Sequence, residues 1–228
     1  MGFFADFKAR RAAKQTQQEL NAQMYRWDNE RAILNTALDI FTNASNGLEP
    51  EDQQLVQKEG ELVLWIGQAI FHEAGRTPST YSGGSAGFSI PIVAGIRVRV
   101  GQFKGSMIPG DEMQMDKDQG QVKLTNQRLI FAGTINTSEW AFAKLLSAAR
   151  DNAGNDFIFG VSNRKKTSGL RFSAEDGPTF SRLFAMALYA YENGVPATIT
   201  AITDELATSD ENKPALVLAS GKAKAIEG

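Results

Sequence analysis

Apolar positions near the start of the chain recur in alternating steps of four and three: Leu20, Met24, Trp27, then Arg31, then Leu34, Leu38 and Phe41. This is the spacing of a helix with one packed seam. Residues 3 to about 43 contain no proline or glycine and are rich in Ala, Gln, Leu, Arg and Glu, so the whole stretch is predicted to be helical. The turn-forming run Asn43-Ala44-Ser45-Asn46-Gly47 ends it. The seam can dock on the body of its own chain, form a helical hairpin or mediate self-association. Arg31 within it argues against a long two-stranded coil, so intramolecular docking is expected, with self-association as the alternative. Glu49-Pro50-Glu51-Asp52 predicts the start of a short second helix, with proline and acids in the first turn.

The pattern changes at Gly60. Glu61 to Glu73 is rich in β-formers, and residues 75 to 91 carry so much Gly, Ser, Thr and Pro that they read as a long loop or an irregular hairpin. Gly95-Ile96-Arg97-Val98-Arg99-Val100 alternates with period two, a half-buried strand with both arginines on one face. Met113–Met115 and Gln121–Thr125 read as two hairpin arms around Asp116-Lys117-Asp118-Gln119-Gly120. Arg128 to Gly133 is a further strand. Glu139 to Ala149 suits either a strand end or a short helix. Asp156 to Ser162 and Gly169 to Ser173 are strands joined by a polar turn. Phe180, Leu183, Phe184, Ala187, Leu188 and Tyr191 then mark one face of an amphipathic helix ended by Asn193-Gly194 and Pro196. Residues 195–228, rich in Ala, Thr, Lys and Glu, show no clear period and read as a flexible tail. Its single apolar patch is Pro214-Ala215-Leu216-Val217-Leu218-Ala219.

About seven short strands closed by one helix describe an α+β chain with a small antiparallel β-barrel. Within it, Gly120-Gln121-Val122-Lys123-Leu124-Thr125-Asn126-Gln127-Arg128-Leu129-Ile130-Phe131-Ala132-Gly133 resembles the G-x-L-x-L-T-N-x-R-L-x-F-x-G hairpin of bacterial pleckstrin-homology-like (PH-like) and GRAM-like domains. Gly95 to Gly105 resembles the strand before it in some of these proteins. The resemblance covers residues 55 to 194. With the flanking elements, which it does not cover, the chain is expected to have three parts: an N-terminal helical arm (1–47), a PH-like barrel with its capping helix (48–194) and the tail (195–228). The resemblance implies binding or scaffolding in general terms, since such domains take lipid head groups, peptides or proteins. Arg76, Arg97 and Arg99 fit the basic spacing of phosphoinositide-binding relatives, and the turn Arg164-Lys165-Lys166 adds to a weakly anion-attracting surface.

Composition narrows the chemistry. The formal net charge is −2, so no overall field draws the chain to nucleic acid, and no basic stripe interleaved with aromatics is evident. There are no cysteines and one histidine, His72, which removes thiolate sites and nearly all histidine metal constellations. His72 reads as a structural strand residue. Asp116–Gly120 lacks the later ligands of a calcium loop, above all a glutamate at position 127. No nucleotide-binding glycine pattern or nucleophile elbow is present. The expectation is therefore a non-enzyme with no cofactor and no metal, engaging a protein partner or itself. The alternative is peripheral attachment to an anionic membrane through Phe3, Phe4 and Phe7 with Lys8, Arg10, Arg11 and Lys14. The order of these residues is the reverse of a secretory signal, and the expected location is the cytoplasm or its membrane face.

Overall fold

A computed structural model describes the backbone of residues 3–48, 50, 55–76, 80–93, 96–108 and 112–214, and the side chains of 11, 13–48, 50, 55–75 and 114–214. The elements in order are α1 (Phe3–Ser45), β1 (Val63–Arg76), β2 (Thr80–Val93), β3 (Ile96–Ile108), β4 (Glu112–Thr125), β5 (Arg128–Gly133) and β6 (Thr137–Ala141). A 3-10 turn (Phe142–Lys144) leads to β7 (Leu145–Arg150), β8 (Asp156–Val161), β9 (Ser168–Arg171), α2 (Asp176–Asn193) and α3 (Val195–Glu211).

The nine strands form one sheet in the order β2-β3-β7-β8-β9-β1-β4-β5-β6. Seven of them, from β7 through β1 to β6, are antiparallel throughout. β3 joins β7 in parallel over Gly101–Gln102 and Ala149–Arg150 only. The sheet does not close, because β6 and β7, although consecutive, are turned apart by Phe142–Lys144, and β2 and β6 remain its edges. The expected barrel closure is thus corrected to an open sheet.

Alternation builds the core. In β8, Phe157, Phe159 and Val161 point inward at every second position. They meet Phe131, Trp140, Phe71 and Leu170 from the other strands and Phe172 just after β9, and Phe180 and Phe184 from α2 fill the space beneath. The rings touch in offset and edge-on arrangements, such as Phe157–Phe180 with centroids 4.9 Å apart and Trp140–Phe159 at 5.3 Å.

Three other expectations change. The residues read as a hairpin around Asp116–Gly120 form the middle of one continuous strand, β4, paired with β1 along its length. An irregularity opposite Phe71/His72 absorbs the extra residue. Gly120 sits there because a side chain would collide with the Ala132 carbonyl and Gly133 on β5, a close approach between strands and not a turn. The glycine-rich run after β1 is β2, paired antiparallel with β3 as a long hairpin. The first part of the expected tail is α3. Its buried positions Val195, Thr198, Ala201, Ile202 and Leu206 follow helical spacing. Pro196 opens this helix where its missing N–H costs nothing. Most of the expected short helix at Glu49–Asp52 and of the patch at Pro214–Ala219 lies outside the described residues.

Candidate functional site

α1 is 43 residues long, about 65 Å of helix at 1.5 Å per residue. Its C-terminal half is docked. Leu34, Ala37, Phe41 and Ala44 are buried against the core, with Leu38 partly buried beside them. Ahead of them, Trp27 donates its indole N–H to the Ser209 carbonyl at the end of α3 (2.8 Å). Arg31, the polar break in the seam, is matched by Asp210 of α3 and lies over the Trp27 ring. Lys213 approaches the same ring. From Trp27 to Phe41 the seam thus packs within the chain, and the helix it meets is α3, which the sequence did not announce.

α3 ends at Glu211, level with Trp27, so residues 3 to about 23 of α1 run on beyond it. Arg11 and residues 13–19 are exposed, and Leu20 and Met24 are half-buried. Of the proposed membrane-arm residues, Phe3, Phe4, Phe7, Lys8 and Arg10 have a helical backbone, but their side chains lie outside the described residues; Arg11 and Lys14 face solvent.

Of the anion-contact candidates, Arg164, Lys165 and Lys166 have described side chains. Arg164 donates to the Glu139 carbonyl (2.6 Å), approaches Ser168 Oγ at 3.4 Å and covers the Trp140 ring. It is a structural brace, whereas Lys165 and Lys166 in the same turn are exposed. Arg97 and Arg99 hold same-face positions on β3, opposite Pro91 and Ser89. Their side chains and that of Arg76 lie outside the described residues.

Two buried polar networks were not foreseen. In the first, Arg128 grips Glu61 with two parallel bonds (Nε–Oε1 2.7 Å, Nη2–Oε2 2.8 Å), reaches Glu139 Oε2 at 2.9 Å and donates to the Val56 carbonyl at 2.8 Å. Burial pushes the Glu61 carboxyl upward, but the Arg128 guanidinium and the Lys58 N–H outweigh it and hold it below the usual carboxylate range. Asn126 and Gln127 tie the same incoming segment to the β4–β5 turn through Gly60, Leu62 and Glu59. Thr125 Oγ accepts the N–H groups of Gln127 and Arg128 and fixes the turn itself. The Thr-Asn-Gln-Arg run thus has a mechanical job.

In the second network, His72 is fully buried, with Nδ1 3.0 Å from Gln114 Oε1 and Nε2 2.8 Å from Asp156 Oδ1. Gln114 donates to Thr167, and Arg171 links Asp156 to Asp116. Burial raises the Asp156 carboxyl, yet His72 and Arg171 together bring it below its ordinary value. Asp118, read as part of a turn, instead accepts the backbone N–H groups of Asn136 and Ile135, and these hold its carboxyl low.

A third junction ties the helices together. Arg182 of α2 bonds Glu205 of α3 (2.6 Å) and Glu30 of α1 (2.8 Å). Burial, with the nearby Glu30 charge adding to it, keeps the Glu205 carboxyl above its usual value despite Arg182. Among the described residues no group of three or more His, Asp or Glu is placed to hold a metal ion, and no helix is long and apolar enough to cross a membrane. Set against protein-family models, curated proteins and solved structures, the chain matches none.

Proposed function

We propose that the chain is a non-catalytic binding module, a PH-like domain that engages its partner through the projecting half of α1. The observation that carries this reading is the division of α1 at Trp27: the half behind it is docked on the body, and the half ahead of it extends past the end of α3 with its described side chains mostly exposed. Arg11 and residues 13–19, exposed along this half, gain nothing from the chain's own core. The continuation of the helix over some 20 residues therefore calls for an external partner.

The PH-like reading draws support from strand order. β1 stands between two antiparallel meanders, β4-β5-β6 and β7-β8-β9, and α2 packs on the aromatic core they share. On this reading the β2–β3 hairpin is an insertion between the first two strands of the domain. The buried charges support a scaffold in the same way, because Arg128, Asp156 and Arg182 each join separate elements.

A photo-crosslinking side chain placed at Gln18 on the arm, and separately at Glu192 on the body, tests the reading in the cell that makes the protein. Both positions are exposed. The arm position is expected to give a discrete protein or lipid adduct that the body position does not. Adducts from Glu192 alone would refute it.

A further inference from the structure

We infer that the partner of the projecting helix is an anionic lipid surface, an assignment that rests on the arm being the engaging element. Residues 1–14 carry four cations and one acid, a formal +3, which leaves −5 on the rest against −2 for the whole chain. The chain is thus an acidic body with a cationic tip. By helical period, Phe3, Phe4, Phe7, Lys8, Arg10, Arg11 and Lys14 fall within an arc of about 160°, and Ala5, Asp6, Ala9, Ala12 and Ala13 occupy the other side. The continuous helix therefore brings the aromatic and basic positions onto one face.

Distance makes this charge separation useful. Lys14 stands thirteen residues before Trp27, where the docked half begins, which is about 20 Å of helix. At physiological salt the screening length is about 8 Å, so the acidic body lies more than two screening lengths away and does not cancel the attraction of the tip. The intervening run Gln15-Thr16-Gln17-Gln18 is uncharged and polar. A protein groove that takes a helix needs apolar anchors at i, i+3 or i+4 and i+7; Phe3, Phe4 and Phe7 supply the first two, but the i+7 positions are Arg10 and Arg11, and from there to Glu19 only alanines are offered. An anionic bilayer needs only cations at head-group level and a few rings to insert beside them.

Co-sedimentation of the full chain with phosphatidylcholine vesicles, with and without phosphatidylserine, tests this. The chain is expected to sediment with the anionic vesicles only and to be released by added salt. Each cation near such a surface contributes roughly five-fold in affinity, so R11Q loses about that factor and the quadruple change of Lys8, Arg10, Arg11 and Lys14 to Gln loses on the order of 100-fold or more. Phe3, Phe4 and Phe7 changed together to Ala weaken binding while keeping its salt dependence. All these positions lie on the projecting helix, and unchanged urea unfolding confirms that the body is intact. No sedimentation of the full chain with anionic vesicles, or equal sedimentation of the quadruple variant, overturns the lipid assignment. If Gln18 still crosslinks to a protein or a nucleic acid, the arm reading survives that failure; if Gln18 gives no adduct, both fall.

Discussion

Replacing Arg128 by Met removes the guanidinium while keeping most of the side-chain length, and the structure fixes what is left behind. The Glu61 side chain is wholly buried and takes two of its bonds from Arg128. Without them the Lys58 N–H, 2.8 Å from Oε2, and the Thr125 hydroxyl remain beside it, neither of them a cation. The Arg128–Glu139 pair matters much less, because the Glu139 side chain is 41% exposed and such a pair is worth under about 1 kcal/mol. The cost is therefore set by stranding one buried carboxylate, about 3–5 kcal/mol. Urea unfolding at neutral pH should show that loss with an unchanged slope. In the native chain the Glu61 carboxyl is held below its unfolded value, so its stabilisation is present above about pH 4.3 and is lost as pH falls through the folded value. In the variant, burial without the cation favours the protonated acid, so the deficit should narrow on acidification. Changing Glu61 to Leu as well should recover most of the loss. A deficit below about 1 kcal/mol at neutral pH, or one that widens in acid, would refute the reasoning.

Phe131→Ala should cost about 3–5 kcal/mol in urea, since the ring is fully buried and stacked on Phe71 with centroids 5.2 Å apart; an unchanged midpoint would place it outside the core. Gly169→Ala should destabilise by about 2 kcal/mol or more, because the new methyl group would collide with the Phe157 carbonyl and the His72 ring. The His72 imidazole resonances should shift with it, and a variant as stable as the native chain would contradict the packing of β9. Glu205→Gln tests the helix junction. Glu205 is held above its ordinary value, so what it adds to stability is full below its unfolded value and falls as pH rises through the folded one. The glutamine variant should therefore gain on the native chain as pH rises above about 4.3, and the opposite trend would exclude burial as the dominant influence on Glu205.

Periodicity made α1 and α2 legible, because large apolar side chains mark one face of each. α3 escaped the same test for a physical reason. Its buried face includes Thr198 and Ala201, and Thr198 is hidden by bonding its hydroxyl to the Gly194 carbonyl, so little hydrophobic contrast shows in the sequence. The available signal was Pro196 two residues after Gly194, which starts a helix as readily as it follows one. β4 was misread because Asp118 and Gly120 look like turn residues. What they serve is long-range, the Thr134–Asn136 turn and the close approach of β5, and local pattern carries no trace of either.

The candidate site divides along the same line. The Arg128–Glu61 clamp joins residues 67 apart in sequence and could not be foreseen from spacing, although Thr125 to Arg128 were singled out through the resemblance. Arg31 looked like a defect in the seam until Asp210 was found opposite it. Ahead of Trp27, where α3 ends, the seam thins to the half-buried Leu20 and Met24, and residues 13–19 before them are exposed. Residues 3–19 carry four cations against two acids, opposite in sign to the rest of the chain, and on the proposed reading that charge is what meets the partner.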